Sequence, residues 1–309
     1  MLGPAGVPET PILPPFEPSR IITEWGVDPV LTVLTVWVAG TYLWGVWTLH
    51  ARGDRWPIGR TLSFVVIGMG SFYVATSSGL AAYDDTLLSV HMVQHMILSM
   101  LVPLALALGA PITLALRTLP RRPRRVLLAV LHSPVVRVLS FPPVAFALFV
   151  LSPWVLYFTG WYDASLHSAF IHDLMHVHLV VVGSLFLWPL VGIDPVPGRV
   201  AYPFRVLLMV MTLPFHAFLG VTIMQQKNLI GGDWYPNLPM SWLPNPHEDQ
   251  HLAGGILWAT GDLVGIAFFL VLFTQWVRAS MREAEREDRR LDRLEQMQAA
   301  ERTTAEGQQ

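Results

Sequence analysis

The sequence predicts an all-α integral membrane protein: a seven-transmembrane helix bundle with its N-terminus outside and its C-terminus cytoplasmic. Three observations carry that prediction. Hydrophobic residues make up 53% of the 309 positions and charged residues only 14%, too apolar a balance for a soluble domain of this length. Seven stretches reach the roughly 20 apolar residues that a helix needs to cross hydrocarbon, at about 30–49, 61–80, 88–116, 138–158, 171–192, 204–225 and 251–277. Eighteen of the twenty basic residues fall on alternate connections, as the positive-inside rule requires.

The segments follow in order. Residues 1–29 form a Pro-rich extracytoplasmic tail, with prolines at 4, 8, 11, 14, 15 and 18 before any apolar run. It has no positively charged start, so it is not expected to be a signal peptide. It should be extended and poorly ordered, with the first span acting as an uncleaved anchor. Residues 30–277 form the membrane domain. Its third and seventh spans are long enough to tilt or project, and Pro103 and Pro214 can kink the third and sixth. Arg52, Arg55 and Arg60 follow span one, and Arg117 to Arg137 follow span three. Arg199 and Arg205 follow span five, and Arg278 to Arg302 follow span seven. Only Arg20 and Lys227 lie on the other side. Residues 278–309 form a charged cytoplasmic helical tail. Its seven basic and eight acidic residues suit a solvated helix better than an anionic-lipid anchor. The location implied is a bacterial-type plasma membrane, crossed several times.

A net charge of −2 gives no reason to expect nucleic acid as a partner. Cysteine is absent, which excludes disulfides, thiolate metal sites and cysteine redox chemistry. No phosphate-binding loop or nucleophile elbow occurs, and no catalytic motif is identified.

The histidines carry the functional signal. With this orientation only His50 and His132 are cytoplasmic. His91, His95, His167, His172, His176, His178, His216, His247 and His251 lie towards the outside. His91 and His95 are four apart, as are His172 and His176, so each pair shares a helix face. Asp262 follows His251 by close to three turns, on nearly the same face and about 16 Å deeper. His216 sits near mid-membrane. Spans three, five, six and seven thus each offer a histidine to one outward layer.

Ionisable groups inside membranes are costly and mark function by default, and paired histidines on facing helices are a recurrent way to build a metal site. The expected metal ligands are His91, His95, His172, His176, His216 and His251. Asp173, Asp249 and Asp262 are the expected orienting or additional groups. Imidazole suits zinc, copper and iron, and thioether favours Cu(I). Histidine and methionine without cysteine, on the outer side, make copper the leading ion, with zinc or haem as alternatives. Packing alone accounts for Met92, Met96 and Met100, and interfacial placement for His178 and His247. The outer loop 226–250 carries Trp234, Tyr235 and Trp242, expected to form an interfacial aromatic belt, with a lid as the alternative.

The stretches "HMVQHMILSM", "LGAPITLALR", "DASLH", "HDLMH", "WPLVGIDPVP", "YPFR", "LPFHAFLG" and "DQHLAGGILWATGDL", in that order, resemble the CtaG family of cytochrome c oxidase assembly factors. The resemblance runs from about span two to span seven. It implies a membrane protein of haem–copper oxidase biogenesis whose partners are cytochrome c oxidase subunits during assembly. It falls on His91, His95, Asp163, His167, His172, His176, His216, Asp249, Gln250 and Asp262, and so implies Asp163 and His167 as further orienting or additional groups. Copper follows from ligand types and membrane side, not from the resemblance. Haem binding, an intramembrane zinc hydrolase with Asp163 or Asp262 as base, and a purely structural scaffold are the other readings.

Overall fold

A computed structural model describes residues 13–198 and 200–306, with side chains described through Met297. The expectations for residues 1–12, Arg199 and the side chain of Arg302 lie outside the described residues. Every long element is a helix. In chain order they are α1 (Pro29–Ala51), α2 (Ile58–Ser77), α3 (Leu88–Thr118), α4 (Pro142–Phe158), α5 (Ala169–Val191), α6 (Tyr202–Gln225) and α7 (Pro246–Glu306). Among the described residues six are long and apolar enough to cross a membrane. α4 joins Trp161–His167 through a 62° bend and makes a seventh span if the bent pair counts as one. The 17 residues of α4 rise about 26 Å, slightly short of a hydrocarbon core, which is why its partner segment matters. α7 continues as a single helix through the charged tail.

Local chemistry sets the helix starts. Proline occupies the first turn of α1, α4 and α6, where its missing amide costs nothing. The Asp28 carboxylate accepts the Leu31 amide at 2.7 Å and caps α1, while Ser168 caps α5, each satisfying an otherwise orphaned donor. α3 carries a π-helical turn at Ile97–Leu101 ahead of Pro103. Its chain breaks at Ala110, which adopts the left-handed conformation before Pro111.

Two close crossings hold the bundle together. At Gly183 of α5 a Cβ would lie 2.1 Å from the Ser99 carbonyl of α3, so only glycine allows that approach. Gly220 of α6 and Gly254 of α7 face each other in the same way, each 2.6 Å from the other's carbonyl if given a Cβ. Small residues at such contacts are how membrane helices pack without hydrophobic drive. Met92, Met96 and Met100 are buried in the core, as packing alone anticipates.

Two expectations change here. From Leu13 onward the N-terminal segment is docked and not loose. Phe16 packs edge-on to Tyr83 at 5.2 Å, the Tyr83 hydroxyl donates to the Pro14 carbonyl at 2.9 Å, and Trp25 bridges to Ser78. The prolines remove donors without preventing packing, and an apolar platform of Leu80, Tyr83, Leu87 and Val90 receives the half-buried Leu13 and Phe16. The 226–250 loop is a cover and not an aromatic belt. Trp234 and Tyr235 are buried, the Trp234 indole donates to the Asp85 carbonyl at 2.7 Å, and the Trp242 indole to that of Leu13 at 2.7 Å. Gln250 pins the loop. Its carbonyl accepts the Ile230 amide at 2.8 Å, and its amide donates to the carbonyls of Ile223, Gln226 and Asn228.

Candidate metal centre

Asp84 sits in the turn between α2 and α3, beneath the docked N-terminal segment, and is buried. Ser168 starts α5 so that His172 and His176 fall one turn apart on the face towards that turn, their rings 4.5 Å apart. The His172 Nε2 lies 3.0 Å from Asp84 Oδ2 and the His176 Nε2 3.6 Å from the same oxygen. One donor atom from each of the three residues lies within 4.8 Å of the others, the one such group of His, Cys, Asp and Glu among the described residues. Gln94 of α3 orients it. Its amide donates to Asp84 Oδ2 at 2.6 Å and to the Ala75 carbonyl at 2.9 Å, and its Oε1 lies 3.0 Å from His176 Nε2.

The group fits a cation. Two imidazoles and a carboxylate are a common set for zinc, copper or iron. The Nδ1 of His176 is buried with no hydrogen-bond partner, a costly arrangement, about 1–3 kcal/mol, for a site without a function. An open cleft of about 340 Å³ reaches the group, with Asp28, Asp84, Asp85, Asp173, His172 and His176 among its walls. Burial acts to raise the Asp84 carboxyl, but the His172 and His176 imidazoles outweigh it and hold the group well below the usual carboxylate range. Asp85 is pushed up to about 6 by burial and by the neighbouring Asp84 charge.

The other predicted ligands do not join this group, so the single outer layer divides. On α3, Gln94 and His95 differ by about 100° around the axis. Gln94 therefore meets Asp84 and His176, while His91 and His95 face α4. The Tyr157 hydroxyl lies between them, 3.1 Å from His91 Nε2 and 2.7 Å from His95 Nδ1. His216 donates its Nδ1–H to the Thr212 carbonyl at 3.1 Å and packs against Gly261. His95 and His216 share a cavity of only about 10 Å³, far too small for a porphyrin between them. His251 is exposed at the start of α7, because its face turns away from α3 and α5.

The acidic residues divide as well. Asp173 and His167 line the cleft, whereas Asp163 is exposed, its carbonyl accepting the His167 Nδ1–H at 2.9 Å. Asp249 accepts the Ser89 hydroxyl at 2.5 Å and its amide at 3.2 Å. It thus caps the N-terminus of α3 from α7 and orients no imidazole. Asp262 accepts the Trp258 indole at 2.7 Å, on its own helix.

Sequence reasoning missed Asp84, Gln94 and Tyr157. The first two left a trace: "YDDT" places two carboxylates in a short, otherwise apolar turn, and Gln94 is an amide inside a membrane span between two histidines. Tyr157 left none.

Fold and site define a multi-pass helical membrane protein with a buried Asp–His–His centre under an acidic cleft. Residues 40–279 match the family model described as cytochrome c oxidase caa3 assembly factor, and the chain belongs to that family. It is similar to uncharacterized proteins of Mycobacterium bovis and Mycobacterium tuberculosis. It is 41% identical to each over 281 residues, which cover 89% of this chain and 42% of the relative. It is also similar to an uncharacterized protein of Mycobacterium leprae, at 36% over 280 residues, 88% of this chain and 42% of the relative. The chain thus spans about two fifths of the length of the curated relatives it matches. No solved structure matches it.

Proposed function

We propose that this oxidase assembly factor holds a copper ion at Asp84, His172 and His176 and passes it to a nascent oxidase subunit at the outer face of the membrane. The observation that carries the reading is the convergence of these three donors beside an open acidic cleft. The arginine-rich connections, by the positive-inside rule, support an outward-facing cleft. Asp28, Asp85 and Asp173 attract a cation to the mouth, and Gln94 holds two of the ligands in register. The test is the copper content of purified wild type and of a D84N/H172N/H176N variant, read together with the copper content of the oxidase in cells carrying each. The reading expects both contents to fall in the variant. Wild-type copper in the variant, with a fully metallated oxidase, overturns it.

A second reading is a zinc-dependent hydrolase of a lipid amide or ester, favoured by the same two-imidazole, one-carboxylate set with an open cleft beside it. Asp85 fits the base better than Asp163 or Asp262, since it lines the cleft and holds a proton up to about pH 6. Tightly retained zinc with release of a fatty acid from the added lipid distinguishes it.

A further inference from the structure

The small cavity in the middle of the bundle belongs to neither reading. It lies between His95 and Ser99 of α3, Phe149 and Ser152 of α4, Leu179 of α5 and His216 of α6. Each histidine commits one ring nitrogen elsewhere: His216 Nδ1 to the Thr212 carbonyl and His95 Nδ1 to the Tyr157 hydroxyl. Among the described residues neither Nε2 has a hydrogen-bond partner. An imidazole tied through Nδ1 with a free Nε2 is the arrangement that metal-ligating histidines adopt, because the second hydrogen bond fixes the tautomer and orients the lone pair.

The surroundings fit the same purpose. If Nε2 of His95 carries the lone pair, Nδ1–H donates to Tyr157 Oη, and the Tyr157 hydroxyl donates to His91 Nε2, so one consistent proton assignment serves all three residues. Ser152 is anchored by a 2.6 Å bond to His178 Nε2. Two irregular backbones meet here. Pro153 lies inside α4 and removes the amide that would otherwise bind the Phe149 carbonyl. Ser99 sits in the π-helical turn of α3, a feature that concentrates at functional positions. The cavity of about 10 Å³ has room for one water or one bare ion. Its walls carry no carboxylate, so it suits a singly charged ion better than a divalent one, whose burial without a counter-charge costs far more.

We propose that His95 and His216 form a second, inner site that binds Cu(I) through their two Nε2 atoms. It is separate from the Asp84–His172–His176 centre and rests on the reading that the chain handles copper. No carboxylate lines the inner cavity, whereas the outer centre contains Asp84 and is reached from the cleft. Cu(I) enters and leaves as Cu(I), with no change of oxidation state.

The experiment is a Cu(I) titration of the full chain in detergent under reducing conditions, against a coloured Cu(I) chelator, with bound metal counted by elemental analysis. Wild type, D84N/H172N/H176N, H95N/H216N and S152L are compared. S152L fills the cavity while keeping both histidines in the chain, and its retained outer equivalent reports that it folds, so the test stays valid if the double histidine variant fails to fold. The expected result is two equivalents in wild type and one in each of the other three proteins. With Zn(II), which seeks four ligands, S152L and wild type should bind equally. X-ray absorption of the outer-site variant should show low-coordinate copper with imidazole scattering. Two equivalents retained in S152L, or wild type holding a single equivalent that D84N/H172N/H176N abolishes, overturns the inner site and leaves the outer reading standing. A single equivalent lost only in S152L and H95N/H216N supports the inner site and overturns the outer one.

Discussion

Gly183→Ala tests whether the contact between α3 and α5 assembles the centre. The new Cβ would lie 2.1 Å from the Ser99 carbonyl and 2.7 Å from Pro103 Cγ, where ordinary contact begins at 3.4 Å. The shortfall against the carbonyl is 1.3 Å, and backbone faces backbone, so the helices must separate and no side chain can simply turn aside. The hydrogen bond between Gln94 and His176 spans the same two helices at 3.0 Å, and a separation of that size carries it beyond hydrogen-bonding range. Overpacking costs about 1–3 kcal/mol, and a buried pair left unsatisfied about 1–3 kcal/mol more. The expected outcome is a melting temperature several degrees lower in detergent, measured by the loss of monodisperse protein on heating, with copper affinity reduced at least tenfold. Gly255→Ala, on α7 with open space around its Cβ position, should change neither. If Gly183→Ala melts and binds copper as wild type does, the centre does not depend on this approach, and the argument from helix contact to ligand geometry is refuted.

Three further outcomes are expected. Tyr157→Phe removes the hydroxyl between His91 and His95 and leaves two buried ring nitrogens unsatisfied. It should lower stability by about 2–5 kcal/mol in denaturant titrations while the Asp84 centre keeps its copper, and equal stability would contradict it. Asp249→Ala strips the cap from α3 and should cost about 1–2 kcal/mol without loss of bound metal; lost metal with unchanged stability would show an orienting role instead. For pH, Asp84 is held low, so its contribution is complete above its unfolded value of 3.8 and disappears as pH falls below it. Asp85 has the opposite sign. With its pKa at about 6 against 3.8 unfolded, stability declines as pH rises from about 4 to 6, by up to about 3 kcal/mol. Melting temperatures across pH 3–8 should lose the acid limb in D84N and the pH 4–6 limb in D85N. An unaltered 4–6 limb in D85N would exclude that assignment.

The apolar runs placed the helices to within a few residues because hydropathy over a span is a sum that local detail hardly disturbs. Helix α3, expected at 88–116, runs Leu88–Thr118, and α5, expected at 171–192, runs Ala169–Val191. Helical spacing also anticipated that His91 lies near His95 on α3 and His172 near His176 on α5. It did not say which pair meets a carboxylate. His172 and His176 do, while His91 and His95 share a tyrosine, because a difference of about 100° on α3 sends Gln94 and His95 towards different neighbours. His251 was placed in the layer by depth alone, and depth fixes nothing about the direction a side chain takes. Asp249, grouped with the histidines by proximity in sequence, caps α3 across 160 residues of chain.

The sequence by itself determined that this is a multi-pass helical membrane protein of the oxidase assembly family, and that two of its helices carry histidines four residues apart. Those properties are read from composition, period and motif, all of which are local. Only the tertiary structure decided that Asp84 and Gln94 complete the site, that His95 and His216 face a separate chamber, and that the N-terminal segment and the 226–250 loop close over the end that carries the cleft. The physical reason is that each depends on the rotation of one helix against another. That rotation is set by backbone contacts such as Gly183 on Ser99, which no single segment encodes.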